Sequence, residues 1–157
     1  MPTTPVIHNT FVVQRNYPRS PDRVFAAFAD PARKRRWFAE GPQHEVEHFE
    51  LDFREGGREF LRSRFGPGTP FPGVALINEG VFQHIEPNRL IVVASTMTLG
   101  ARRISATLVT IELLPGESGT ALTLTHQGVF FEGADGPQIR EAGWRELCSR
   151  LAAELDR

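Results

Sequence analysis

The chain has 157 residues, 40% of them hydrophobic, a formal net charge of −1 and one cysteine. This size suits one domain, and the charge argues against general binding to nucleic acid or anionic membranes, which needs a surplus of basic side chains. One cysteine cannot form an internal disulfide, and we find no signal peptide and no apolar stretch of membrane-spanning length. We therefore expect a cytoplasmic protein forming a single domain over residues 1–157, with a loose tail at 1–7.

The first elements after the tail are predicted to be one strand and two short helices. Apolar and polar residues alternate over 9–17, which is the period of a half-buried strand. A Ser-Pro step at 20–21 and an Asp-Pro step at 30–31 each join an N-capping residue to a proline in the first helical turn. The second helix carries a basic run at 33–36, which we interpret as a solvated helix face.

The middle of the chain reads as strands separated by turns rich in glycine and proline. The short connections indicate antiparallel neighbours. The predicted strands cover residues 45–53, 58–65, 74–85, 89–99, 103–114 and 120–127.

The last segment, 135–155, predicts one long amphipathic helix. Asp135 is the expected N-cap, and we expect ion pairs between Glu141 and Arg145 and between Glu146 and Arg150 on the wet face. The fold class is thus α+β: a curved seven-stranded antiparallel sheet wrapped around a C-terminal helix. The apolar stripe of the helix comprises Trp144, Leu147, Cys148, Leu151, Ala152 and Leu155.

Several local strings follow one another along the chain: Ser20-Pro21, Asp30-Pro31 leading to Trp37, Phe53 to Arg58, Gly80 to Pro87, Thr120 to Thr125, and Gly143-Trp144. In this order they resemble the helix-grip domains of the START/Bet v 1-like superfamily, specifically the group similar to the C-terminal domain of the activator of Hsp90 ATPase. The resemblance spans nearly the whole chain and implies a cavity between sheet and helix. It also implies a range of roles: carriage of lipids, steroids or polyketides, polyketide cyclisation, and chaperone contact.

We expect the cavity to bind a small apolar or amphipathic molecule, with no cofactor. His126 lies two residues after Leu124 on the same strand, so its side chain is expected to point to the same inner face. It is therefore both a ligand-binding candidate and the candidate catalytic residue. A structural histidine whose ring nitrogens are hydrogen-bonded to backbone or water fits the pattern as well. The expected lining residues are Phe60, Phe82, Val92, Leu124, His126, Trp144 and Leu147.

Three alternatives stay open at this point. An acid/base enzyme of the cyclase, isomerase or hydrolase type would use His126, in one version together with Glu79, whose direction the pattern leaves undecided. A co-chaperone-like interaction module is a second alternative. A homodimer formed through an edge strand is a third.

Other chemistry-bearing residues receive structural interpretations. We expect no metal site, because His44 and His48 on a strand would lie about 13 Å apart. Cys148 is expected to be a small buried hydrophobe. The arginines at 58, 62 and 64 lie either at the cavity mouth or on a wet face. Gly143 in the last helix predicts a close approach to the sheet or a bend.

Overall fold

The computed structural model describes residues 5–157. Residues 1–4 of the expected tail lie outside this range, and Ile7 already belongs to the first strand. A π-helical turn over Arg35–Ala39 directly follows the second short helix, which ends at Lys34. The elements are β1 (Ile7–Tyr17), α1 (Pro21–Ala29), α2 (Pro31–Lys34), β2 (His44–Leu51), β3 (Arg58–Phe65), β4 (Ala75–Glu86), β5 (Leu90–Leu99), β6 (Arg102–Pro115), β7 (Thr120–Phe130) and α3 (Pro137–Leu155).

All strands form one antiparallel sheet in the order β1-β7-β6-β5-β4-β3-β2. The first strand therefore pairs with the last, while β2 to β7 follow each other as hairpins. Register shifts in the pairings β2–β3, β4–β5 and β5–β6 are irregularities of the kind that bend and twist a sheet. The predicted α+β helix-grip fold is confirmed. The register shift between β4 and β5 on the β4 side lies between Phe82 and His84.

The last strand is three residues longer than predicted and ends at Phe130. Gly128, the first residue after the predicted end, lies within the strand. A Cβ atom there would lie 3.1 Å from His126 Cε1 and 3.2 Å from Thr107 Cγ2. The glycine is thus explained by crowding on the inner face of the sheet.

The long helix α3 packs on the concave side of the sheet through the predicted stripe. Cys148, Leu151 and Leu155 are buried, and Trp144 and Leu147 are half-buried against the same core. Burial of a large apolar side chain contributes about 1.5–3 kcal/mol, so this stripe dominates the attachment of the helix. No helix within residues 5–157 is long and apolar enough to cross a membrane.

The start of α3 differs from the prediction. Gly136, with φ of 86°, is the N-cap, and the Asp135 carboxylate binds the Arg140 guanidinium instead of capping the helix. Arg140 is buried, and a buried charge needs a partner of opposite sign more than a helix end needs a side-chain cap. On the wet face Glu141 pairs with Arg145 as expected.

The short helices place aromatic side chains beneath the sheet. The Asp30 carboxylate caps α2 by accepting from the main-chain N–H groups of Ala32 and Arg33. The following π-helical turn buries Trp37 and Phe38, and the Trp37 indole N–H donates to the carbonyl of Ala27 at 2.8 Å. This bond fixes the turn to α1 and gives the candidate site one of its walls.

Candidate functional site

A narrow cavity lies between the inner face of the sheet and the layer formed by α2, the π-helical turn and α3. Its volume is about 40 Å³, which is room for about three water molecules at roughly 10–15 Å³ each. Apolar rings and branched side chains form much of the wall. The polar part of the wall includes Lys34, Glu59, Asn78, Thr107, His126 and Arg140.

Three of the seven predicted lining residues reach this cavity: Phe82, His126 and Trp144. Leu124 is buried on the same inner face of the sheet but outside the cavity wall, and Leu147 packs half-buried against the core. Whether any of these residues binds a ligand stays a prediction.

Phe60 and Val92 lie on the opposite face of the sheet, so the prediction that they line the cavity is wrong. In β5 the inward positions are Ile91 and Val93, which border the cavity, and in β3 the inward neighbour of Phe60 is Glu59. Alternate side chains of a strand point to opposite faces of the sheet, and the packing of the core decides which set points inward. In β3 the core contains Glu59, and the ring of Phe60 points outward.

The outer face of β3 is a wet, charged surface. The Arg58 guanidinium lies 4.3 Å from the centroid of the Phe60 ring, and it reaches the Glu79 carboxylate at 3.3 Å. Arg62 and Arg64 both bind Glu47. These arginines are therefore not at the cavity mouth, and a catalytic pair of Glu79 with His126 is ruled out because the two side chains lie on opposite faces.

A buried ion pair forms one end of the cavity wall. Lys34 Nζ donates to Glu59 Oε1 at 2.6 Å, and both residues are 5% exposed. The ammonium also lies 4.5–5.4 Å from the ring centroids of three aromatic residues, Phe28, Trp37 and Phe38. Lys34 was expected on a solvated face, so that interpretation is wrong for this residue. The signal available in the sequence was that Lys34 is the single lysine among 18 basic residues.

His126 is held in a column of aromatic rings. Its ring stacks on Phe11, with centroids 4.4 Å apart and planes at 8°, and on Phe130 at 6.1 Å and 22°. The residue is 1% exposed, and its Nδ1 has no hydrogen-bond partner among the described residues. Burial, helped by the nearby charge of Arg140, lowers the pKa of His126 to about 4.

The depressed pKa determines what His126 can do. The imidazole is neutral at pH 7, so it can exchange a hydrogen bond with a ligand, and it is a weak base far from the working range of a general base. Sequence reasoning found the residue but not its protonation state, which depends on burial and on Arg140.

Arg140 closes the other end of the wall and was missed by the sequence analysis. It lies four residues before Trp144, on the buried side of α3, where a charged side chain is unexpected. Its Nε and Nη2 atoms donate to the Asp135 carboxylate at 2.8 and 2.9 Å, and Nη2 also donates to Ser105 Oγ at 3.0 Å. The guanidinium lies 5.0 Å from the centroid of the Phe130 ring.

The cavity reaches the surface where its lining residues are incompletely buried. Asn78 on β4, Met97 on β5 and Trp144 on α3 are half-buried residues of the wall. Gly80 lies on the inner face between Asn78 and Phe82, where a Cβ atom would come within 2.6 Å of Ser95 Oγ. Within residues 5–157 no group of three His, Cys, Asp or Glu side chains is placed to hold a metal ion.

Comparisons with known proteins agree with this architecture. A protein of Rhizobium loti, Mll3558, is 45% identical over 96% of this chain and 99% of its own, with a TM-score of 0.84. A protein of Rhizobium leguminosarum is 31% identical over 99% of both chains, with a TM-score of 0.91. DynU16, from the dynemicin biosynthetic locus, shares the fold at 22% identity and a TM-score of 0.63, over 94% of this chain and 47% of its own.

The family comparison covers nearly the whole chain. A comparison with curated proteins finds no match. The family model described as "Activator of Hsp90 ATPase homolog 1-like protein" matches residues 18–156. The chain therefore belongs to the family of Activator of Hsp90 ATPase homolog 1-like proteins.

Proposed function

We propose that the protein binds a small, flat amphipathic molecule in the cavity between the sheet and α3. The observation that carries this proposal is the mixed wall: His126, whose Nδ1 has no hydrogen-bond partner within residues 5–157, and a buried ion pair, Lys34 with Glu59, line the same largely apolar space. Polar groups inside a core usually satisfy one another, so an unpartnered one beside a cavity favours a ligand or water there.

The volume sets a condition on this function. About 40 Å³ holds a few waters and not a drug-sized molecule, so a ligand has to displace side chains at the mouth. Trp144 and Met97 are large half-buried wall residues that can move, whereas Phe82 and His126 are only 2% and 1% exposed. Flat ligands fit best, because five Phe and Trp side chains line the cavity and a ring can enter as Trp144 moves aside.

The alternative of an acid/base enzyme has less support. It needs a titratable group with a pKa near the working pH, and the pKa of His126 is about 4. The fold shared with DynU16 is compatible with small-molecule handling, but at 22% identity that likeness concerns the fold alone. A chaperone contact, a homodimer and a cytoplasmic location stay predictions from the sequence.

The test is binding of 1-anilinonaphthalene-8-sulfonate, a flat amphipathic dye, to the purified protein, together with native mass spectrometry for molecules that copurify. Ser95→Leu adds bulk to the cavity wall, and Ala94→Leu adds bulk on the outer face of the same strand. We expect Ser95→Leu to weaken dye binding at least tenfold, and Ala94→Leu to leave it unchanged. Equal affinities, or no binding to the wild type, would refute the proposal.

A further inference from the structure

A second concave site lies at the end of the molecule where the tip of α3 meets the short helices. Its volume is about 150 Å³, larger than that of the internal cavity. Four arginine side chains form its walls, and they come from separate parts of the fold: α1, α2, the π-helical turn and the end of the chain. The arginines are Arg23, Arg33, Arg36 and Arg157. We refer to them and the space between them as the arginine cleft.

The floor of the cleft contains one carboxylate, and that carboxylate is already engaged. Glu154 is 9% exposed, and it accepts from Arg36 Nε at 2.8 Å and from Arg36 Nη2 at 2.6 Å. The side-by-side geometry fixes the Arg36 guanidinium in the wall. Arg36, and the charges of Arg157 and Arg33, hold the pKa of Glu154 below its usual range, which is consistent with their convergence on this point.

The other three arginines are incompletely neutralised. The nearest carboxylate to Arg33 is that of Asp30, at 3.9 Å, and this carboxylate already accepts from two main-chain N–H groups of α2. Within residues 5–157 the side chains of Arg23 and Arg157 make no hydrogen bond and no ion pair. Among the described residues these two guanidiniums therefore face the cleft without a hydrogen-bonded or ion-paired partner.

The cleft differs from the rest of the surface in that four arginines line one concave site. The chain as a whole carries a net charge of −1. Arg54, Arg62 and Arg89 are each paired with a carboxylate, and Arg102 and Arg103, which form no ion pair within residues 5–157, lie outside the cleft. Like charges that converge repel one another unless an anion lies between them. Guanidinium groups bind the oxygens of phosphate in pairs of hydrogen bonds, and this preference is stronger than for halide ions, which offer no such geometry.

We infer that the arginine cleft is a binding site for a small phosphate-bearing molecule, either inorganic phosphate or the head of a phosphomonoester, held by Arg23, Arg33 and Arg157. The Glu154 carboxylate is occupied by Arg36, so the phosphate is held by Arg33, whose contact with Asp30 is 3.9 Å long, and by Arg23 and Arg157. The cleft is a bounded concave site of about 150 Å³, which favours a small ligand over a polyanion.

In the test, the whole protein is titrated with inorganic phosphate and with glycerol phosphate at constant ionic strength. Binding is measured by isothermal titration calorimetry and by the shifts of main-chain amide NMR signals. Acetate and chloride serve as anions without the phosphate geometry. We expect saturable binding of both phosphates, with the largest shifts in α1, α2 and the end of α3.

The variants keep the fold intact. Arg23→Gln with Arg157→Gln removes two guanidiniums that line the cleft and make no hydrogen bond and no ion pair within residues 5–157. Arg54→Gln with Arg89→Gln makes the same change of charge on other exposed arginines. The cleft variant should bind phosphate at least tenfold more weakly than the control variant. The inference fails if the two variants bind alike, if acetate or chloride binds as well as phosphate, or if wild type binds no phosphate at millimolar concentrations. Preference for anionic lipid vesicles over both soluble phosphates would also overturn it.

Discussion

The ring of His126 on β7 stacks on the ring of Phe11, its direct partner on β1, with centroids 4.4 Å apart and planes at 8°. This stack is favourable for a neutral imidazole, and burial makes the charged form costly. The charge of Arg140 lowers the pKa of His126 further, and that of Asp135 raises it; the outcome is a pKa of about 4.

The first prediction is loss of stability in mild acid. The pKa of a histidine in the unfolded chain is about 6.5, and that of His126 in the folded protein is about 4. Between pH 6.5 and 4 this side chain is therefore protonated in the unfolded state and neutral in the folded state. Unfolding free energy should therefore fall as the pH falls through this window, by up to about 3 kcal/mol from this residue. Denaturant titrations at several pH values measure the slope.

The control for this prediction is a pair of histidine variants. His126→Phe keeps a flat ring in the column and removes the titrating group, so its stability should depend less on pH. His48→Gln changes an exposed histidine on β2 and should keep the slope of the wild type. If His126→Phe retains the same slope, the acid sensitivity has another origin.

The second prediction concerns the buried ion pair of Lys34 and Glu59. Lys34→Met leaves the Glu59 carboxylate buried without its partner, and breaking such a pair costs about 3–5 kcal/mol. The double variant Lys34→Met with Glu59→Leu removes both charges and should recover most of the loss. Chemical denaturation measures both values.

An exposed pair provides the comparison. Glu141→Gln breaks the contact with Arg145 on the wet face of α3, and such surface pairs contribute about 0.2–0.5 kcal/mol. If Lys34→Met costs no more than Glu141→Gln, or if the double variant is as unstable as the single one, the pair is not the desolvated interaction described here.

The fold was predictable because its signals are local and repeated. Alternation over β1 and β7, Pro-linked helix starts and the apolar stripe of α3 each depend on nearest neighbours, and every one of these elements is present. The residues of the cavity wall were harder to predict from the sequence. His126 was found through its parity with Leu124, whereas Lys34 and Arg140 were missed because hydrophobicity rules place charged side chains outside.

In β3 and β5 the alternation of residues predicted the wrong inward-facing side chains, and the reason is physical. In β3 the inward side chains include Glu59 and Ser63, so the sequence lacks an apolar alternation, and hydrophobicity alone assigns Phe60 to the core. In β5 five consecutive apolar residues begin at Leu90, and both faces accept them. Which face of β3 points inward depends on Lys34, the ion-pair partner of Glu59, which lies 25 residues away in the chain.

The third prediction concerns the contact between β1 and α3. The Tyr17 hydroxyl donates to the main-chain carbonyl of Cys148 at 2.8 Å in a buried position. Tyr17→Phe removes the donor, while the carbonyl keeps its place inside the helix, so the cost should be that of one hydrogen bond, about 0.5–1.5 kcal/mol. Thermal unfolding measures it, and a loss above about 3 kcal/mol would show that the ring has also lost its packing.

The fourth prediction concerns Gly143 in the middle of α3. The sequence suggested that its missing side chain allows a close approach to the sheet or a bend. In the structure Gly143 is exposed, and a Cβ atom there meets nothing within 4 Å, so the close approach is wrong. Gly143→Ala should therefore stabilise the protein by about 0.5–1 kcal/mol, because alanine loses less backbone freedom on folding than glycine does.

The matched control for this substitution is Gly56→Ala in the turn before β3. A Cβ atom at Gly56 also meets nothing within 4 Å, but φ there is +80°, a conformation that alanine adopts at a cost. The two variants make the same chemical change in equally open space, and they should shift the melting temperature in opposite directions, upward for Gly143→Ala and downward for Gly56→Ala. A downward shift for Gly143→Ala would mean that α3 needs flexibility at this point, for example to let Trp144 move when a ligand enters the cavity.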